Sequence, residues 1–183
     1  MDKKELRKQI LSERRAMSDT DVHDKSLLIC DNIRKSHAYS LAKDVCLYMP
    51  INNEVDVALM IDDVLASGRR VWLPKIVEGS MDFYHYDRET PVVLGAFEIT
   101  EPDSDEVLEA GEATLVIMPG AVFSETRDRI GYGGGYYDIY LDRHPEVMTV
   151  AACFDMQIVK SIPAELHDVK PQAIVSEKRI IEE

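Results

Sequence analysis

Thr114-Leu115-Val116-Ile117-Met118-Pro119-Gly120 is the stretch on which the fold turns. Five residues without a charge, stopped by proline and glycine, make a strand that is apolar on successive positions. Such a strand has no face to offer to water, so it belongs in a sheet covered on both sides. Val45 to Met49 before Pro50, Arg70 to Pro74, and Val147 to Phe154 are of the same kind. Ala173 to Ser176 reads as the last core strand, with an edge at Arg179 to Ile181, and Met81 to Tyr86 alternates as a further strand. Helical segments fall between them. Lys3 to Met17 carries Leu6, Ile10 and Met17 on one stripe, and Ser18-Asp-Thr-Asp21 supplies cap chemistry for a second helix to about Lys35. Asp56 to Ala66 is closed by Gly68, and a last helix runs from about Gly135 to Arg143. Residues 88–113 are acidic and broken by proline and glycine, and read mostly as loop. The alternation predicts an α/β fold with a mostly parallel sheet. Ligands in such sheets bind beyond the carboxyl ends of the strands, here Met49-Pro50, Pro74-Lys75 and Met118-Pro119-Gly120.

The 183 residues fit one domain spanning 1–183, and 45% hydrophobic with 30% charged residues excludes wholesale disorder. No apolar run approaches the roughly 18 residues of a membrane span. The basic N-terminus lacks an apolar segment behind it, and Cys30, Cys46 and Cys153 sit singly among apolar neighbours. These features fit a cytoplasmic protein with reduced, buried thiols. A net charge of -13 excludes general nucleic-acid binding. Residues 1–15 run against that charge, with six basic side chains (Lys3, Lys4, Arg7, Lys8, Arg14, Arg15) and three acidic ones. A basic element on an acidic chain suggests a small-anion site.

Arg129-Ile130-Gly131-Tyr132-Gly133-Gly134-Gly135-Tyr136-Tyr137-Asp138 concentrates four of the nine glycines within five positions. Glycine lets backbone N–H groups turn toward a ligand, and a following helix adds the positive end of its dipole. The segment is neither a P-loop nor a GxGxxG fingerprint. Its spacing fits a phosphate cradle or an ordinary turn; Arg129 before it and Asp138 after it favour the cradle. On the first helix, Lys3, Arg7 and Arg14 fall within about 40° of one another at 100° per residue, beside the apolar stripe. That row is either a solvated face or the wall of a cleft. The five histidines form no zinc spacing, and the Gly-x-Ser-x-Gly elbow of many hydrolases is absent. Asp168 alone reads as a surface or capping carboxylate.

The glycine segment, preceded by Met118-Pro-Gly-Ala-Val-Phe123, resembles the signature of the 5-formyltetrahydrofolate cyclo-ligases. The similarity extends in order through Lys3-Lys-Glu-Leu-Arg7, Tyr48-Met-Pro50 with Glu54-Val-Asp56, Leu73-Pro-Lys75, Glu101-Pro102 and Pro163 to His167-Asp168. The chain departs from the family pattern at Ser124, usually aspartate, and Arg127, usually glycine. The resemblance implies a Rossmann-like three-layer α/β/α sandwich and a reaction: ATP- and Mg²⁺-dependent closure of 5-formyltetrahydrofolate to 5,10-methenyltetrahydrofolate, releasing ADP and phosphate through a phosphorylated imidate. It further implies that Lys3, Lys4, Arg7 and Arg129 to Tyr137 bind ATP, with Arg129 also catalytic. Met49, Glu54 and Tyr132 to Tyr136 would bind the folate, and Asp138 and Asp168 the Mg²⁺. The partners implied are small molecules, with no nucleic acid, membrane or obligate protein partner.

Overall fold

The computed structural model describes residues 1–163, 165 and 168–183. The chain opens with three helices, α1 (Lys3–Arg15), α2 (Asp19–Arg34) and α3 (His37–Leu41), and enters the sheet at β1 (Asp44–Cys46). A 3₁₀ turn at Val57–Met60 and α4 (Ile61–Ala66) lead to the hairpin of β2 (Arg70–Val77) and β3 (Ser80–Tyr86). A second, short hairpin follows, β4 (Val92–Leu94) and β5 (Thr100–Pro102). The remaining elements are β6 (Thr114–Met118), β7 (Val122–Ser124), β8 (Arg129–Ile130), α5 (Tyr136–Arg143), β9 (Met148–Ala152), β10 (Ile158–Val159), β11 (Ala173–Val175) and β12 (Ile180–Glu182).

Seven strands form one sheet in the order β12-β11-β9-β6-β1-β2-β3. The inner five are parallel, and β3 and β12 close the edges antiparallel. The chain leaves β1 toward β2 on one side and later returns to β6 on the other, so the crevice between β1 and β6 is the topological switch point.

Alternation along the strands distributes the core. Leu115 and Ile117 of β6 point into one layer, with Val45, Val71 and Val150, and are covered by Ile29, Cys30 and Ile33 of α2 and by α4. Val116 and Met118 point to the other layer, where Phe83, Tyr140 and Leu141 cover them. The fold is therefore an α/β/α sandwich whose second layer is thin, one helix (α5) backed by the small sheet β10-β7-β8. Each buried aliphatic side chain contributes about 1.5–3 kcal/mol. The two layers thus hold the central strands without help from the polar periphery.

Two local features differ from the sequence expectation. β2 runs through Pro74 to Val77 because its pairing with β1 ends at Trp72, so the missing proline N–H breaks no bond on that side. The region 88–113 holds the β4–β5 hairpin, whose three-residue strands are too short for an alternation signal. Among the described residues, no helix is long and apolar enough to cross a membrane.

Candidate active site

The carboxyl ends of β1, β2 and β6 open into a cleft of about 740 Å³. Tyr48 and Met49 line it after β1, Pro74 and Ile76 within β2, and Pro119 after β6. α1 forms the opposite wall. A capping box fixes the start of that helix: Asp2 accepts from the Glu5 amide at 2.8 Å and Glu5 from the Asp2 amide at 3.1 Å. Leu6 and Ile10 pack on Ala121, Val122, Ile130 and Ile162, which turns Lys3, Arg7, Leu11 and Arg14 toward the cleft.

The glycine segment crosses the floor. Gly133 has φ +103° and Gly135 φ +68°, left-handed conformations that an L side chain rarely adopts, and Gly135 caps the start of α5. Gly131 lies under the Arg129 guanidinium, where a Cβ would stand 3.0 Å from Nη1. Arg129 is buried; it donates to Asp138 Oδ2 at 3.2 Å and to the Pro119 carbonyl at 3.3 Å. Of the buried side-chain donors without a partner among the described residues, two line the cleft, Nε of Arg7 and Nε of Arg129. An orphaned buried donor is costly unless a ligand takes it. Lys3, Arg7 and the whole run Arg129 to Tyr137 are brought together here, whereas Lys4 lies on the exposed side of α1 and does not line the cleft. Arg15 lines it as well.

Two carboxylates stand at the Lys3 end. Asp138 Oδ1 accepts from the Val169 amide at 3.2 Å, which seats the Asp168–Val169 backbone against the first turn of α5. Asp168 Oδ2 accepts from Lys3 Nζ at 2.8 Å, with Glu165 3.2 Å from the same ammonium. Burial pushes the Asp168 carboxyl up, but the Lys3 ammonium and the Glu165 amide outweigh it and hold it below the usual range. Burial lowers Lys3, and its bonds to Asp168 and Glu165 prevail and raise it. Among the described residues no three His, Cys, Asp or Glu side chains cluster as a metal cage. Two carboxylates beside a glycine loop have the donor chemistry for Mg²⁺, which takes few protein ligands and keeps waters and other oxygens for the rest. His167, part of the Pro163 to Asp168 match, lies outside the described residues.

Glu54 is buried at the other end. Asn52 and Asn53 both take left-handed backbone, at φ 50° and 59°, and turn the chain so that Glu54 Oε2 accepts from the Ile51 amide at 2.9 Å. The Asn53 amide then donates to the Arg14, Arg15 and Met17 carbonyls, tying this turn to the end of α1. Burial raises the Glu54 carboxyl, offset in part by the Ile51 amide, the Tyr132 hydroxyl and Arg14. Tyr132 presents its ring to the cleft while its hydroxyl receives Arg14 Nη1 at 2.8 Å and donates to the Gly120 carbonyl at 3.2 Å.

Arg14 was legible only as a member of the basic row. It is 2% exposed and also donates to the Asn52 carbonyl at 3.2 Å, which makes it the strut between α1, the Glu54 turn and the glycine loop. The consecutive asparagines were a usable signal for that turn. Phe97, 67% exposed at φ 56°, hangs from the β4–β5 hairpin over the cleft, its ring 6.0 Å from that of Tyr136. Nothing in its acidic surroundings marked it. The two departures from the family pattern sit side by side: Ser124 donates to Asp128 Oδ2 at 2.9 Å, and Arg127 has φ 64°, a conformation that suits the glycine usual there.

The chain matches the family model described as the 5-formyltetrahydrofolate cyclo-ligase family over residues 1–177. It is 28% identical to 5-formyltetrahydrofolate cyclo-ligase of Mus musculus, over 96% of this chain and 93% of that protein. It is 29% identical to the Escherichia coli K12 protein of the same name, over 78% of this chain and 82% of that one. Among solved structures, 5,10-methenyltetrahydrofolate synthetase of Aquifex aeolicus superposes with a TM-score of 0.88 at 29% identity, covering 100% of this chain and 93% of that one.

Proposed function

From the premise that the chain belongs to the 5-formyltetrahydrofolate cyclo-ligase family, and is an enzyme of that family, we propose that the cleft closes 5-formyltetrahydrofolate to 5,10-methenyltetrahydrofolate at the expense of ATP. The observation that carries this reading is the pair of orphaned buried guanidinium donors, Arg7 Nε and Arg129 Nε, converging on a glycine loop. Those donors call for an anion with several oxygens, and a triphosphate has them.

Phosphoryl transfer asks for position and charge rather than a protein nucleophile. Lys3, Arg7, Arg129 and the amides of Gly131 to Tyr137 hold the phosphates. Glu54 meets the ring N–H groups of the pterin, while Met49, Tyr132 and Tyr136 cover its faces. The formyl oxygen attacks the γ-phosphorus and ADP departs. N10 then attacks the formyl carbon of the phosphorylated imidate and gives up its proton to solvent, and phosphate leaves as the ring closes to the methenyl cation. Arg129 counters the charge on the transferring phosphoryl group. Asp138 and Asp168 would hold Mg²⁺, which supplies charge neutralisation on the phosphate oxygens. Their pairing with Arg129 and Lys3 keeps these side chains in place before nucleotide arrives.

The test mixes the protein with ATP, Mg²⁺ and 5-formyltetrahydrofolate and follows the absorbance of the conjugated methenyl product. One ADP per methenyl product is expected, with loss of turnover in Asp138→Asn at an unchanged melting temperature. Methenyl formation without ATP, or full activity of Asp138→Asn in excess EDTA, would refute the reading.

A further inference from the structure

The backbone of Arg127 is left-handed, with its amide donating to the Ser124 carbonyl at 3.0 Å. An arginine in that conformation is disfavoured relative to glycine, so something its side chain does must offset the strain. Its Nη1 donates to the Pro171 carbonyl at 2.9 Å, and Nη2 lies 3.8 Å from the exposed Glu183 carboxylate. Lys170 answers from the other side, with Nζ 2.8 Å from Asp128 Oδ1 and donating to the Thr126 carbonyl at 3.2 Å. The turn at residues 126–128 therefore grips residues 170–171 at three points. Between β10 and β11 the described residues form no helix or strand, so no ladder fixes the backbone that carries Asp168. This grip holds the backbone after Asp168, beside the Gln172 amide donating to Thr149 Oγ1 at 2.9 Å; the Val169–Asp138 hydrogen bond and the bonds of Asp168 to Lys3 and Glu165 hold it nearer the site.

We propose that Arg127 is a positioning residue, a clamp that holds the 168–171 segment so that Asp168 faces the same cation as Asp138. The inference rests on the Mg²⁺ assignment made above and deepens it: the position at which the chain departs from its family has become part of the support of the metal site. Partners that orient a metal-binding carboxylate typically command 10–100-fold in metal affinity. Acting through three residues of backbone, Arg127 belongs at the lower end of that range.

The experiment titrates Mg²⁺ by calorimetry into the protein bound to a non-hydrolysable ATP analogue, so that turnover plays no part. Arg127→Ala and Arg127→Gly should each weaken Mg²⁺ by on the order of 10-fold. Arg127→Lys, which keeps a donor for Pro171, should recover most of the loss. Metal-free affinity for the analogue should not change. Melting temperatures separate position from stability: Arg127→Gly relieves the left-handed strain that Arg127→Ala retains, so it should melt higher while binding Mg²⁺ no better. Wild-type Mg²⁺ affinity in both variants, or a loss that follows melting temperature and spares Arg127→Gly, would overturn the clamp. Asp168→Asn is the reference: if it binds Mg²⁺ like the wild type, the metal assignment itself falls and takes the clamp with it.

Discussion

Arg7 is where the nucleotide assignment is most exposed to measurement. Its guanidinium lines the cleft with Nη1 3.8 Å from the Cβ position of Gly133, and its Nε is buried without a partner. Among the described residues it makes no ion pair or hydrogen bond, so Arg7→Ala breaks none and leaves no protein group unsatisfied. What the fold loses is contact along the stem, less than about 1 kcal/mol for a half-buried side chain. The bound nucleotide loses a charge-assisted hydrogen bond, about 1.5–3 kcal/mol, which is roughly 10- to 150-fold in affinity. Lys8, exposed and outside the cleft, is the matched control; its removal should cost less than about 1 kcal/mol, because solvent screens it. Calorimetric titration of an ATP analogue into Arg7→Ala and Lys8→Ala at one ionic strength, with melting curves for both, makes the comparison. Equal, small losses in the two variants would refute the reasoning and leave the phosphates to Arg129 and the glycine loop. So would a drop in stability of Arg7→Ala large enough to explain its binding.

Arg14→Met should behave in the opposite way. It leaves the Tyr132 hydroxyl and the Asn52 carbonyl without their donor, so stability should fall by about 3 kcal/mol, or about 6–12 °C in melting temperature, and calorimetry would show both ligands weakened together. Glu54→Gln should stabilise the unliganded protein. Burial raises this carboxyl in the folded state, so the folded chain binds more protons than the unfolded one, and stability falls as pH rises from the ordinary carboxylate value of about 4.3 through the raised one. Glutamine removes the charged form, so the variant should melt higher near pH 8, with a flatter pH profile and weakened folate binding. A lower melting temperature than wild type at that pH would show that the carboxylate is held by its partners at no net cost.

The layers were legible because they follow from chemistry that is local. Thr114 to Met118 had no polar face, and its two-sided burial required the sheet it now occupies. Pro50 and Pro119-Gly120 marked strand ends beside the cleft, Pro74 lines it from within β2, and the glycine segment announced its own backbone. The rest depends on contacts across the chain. Arg14 and Arg15 are neighbours in a basic segment, yet one becomes a buried strut only because Asn52 and Tyr132 arrive from residues 38 and 118 positions away. Lys4 and Lys3 differ by one position, and the packing of Leu6 and Ile10 on distant residues decides which of them faces Asp168. Phe97 owes its place to a left-handed backbone in the turn between β4 and β5, a conformation that nothing in its acidic loop announces.

The seat of α1 has a consequence for how the molecule is born. Ile10 finds its apolar partners at Ala121, Val122, Ile130 and Ile162, so α1, once made, waits for about 150 further residues before it can dock. At 5–20 residues per second that wait is about 8–30 seconds. A helix of 13 residues is marginal in water by itself, so throughout that interval the wall carrying Lys3 and Arg7 is unbuilt. The β2–β3 hairpin and the β1–β2 pair use nearby partners and can form while synthesis continues. The cleft therefore assembles late, once the segment carrying Ile162 has been made and α1 can dock.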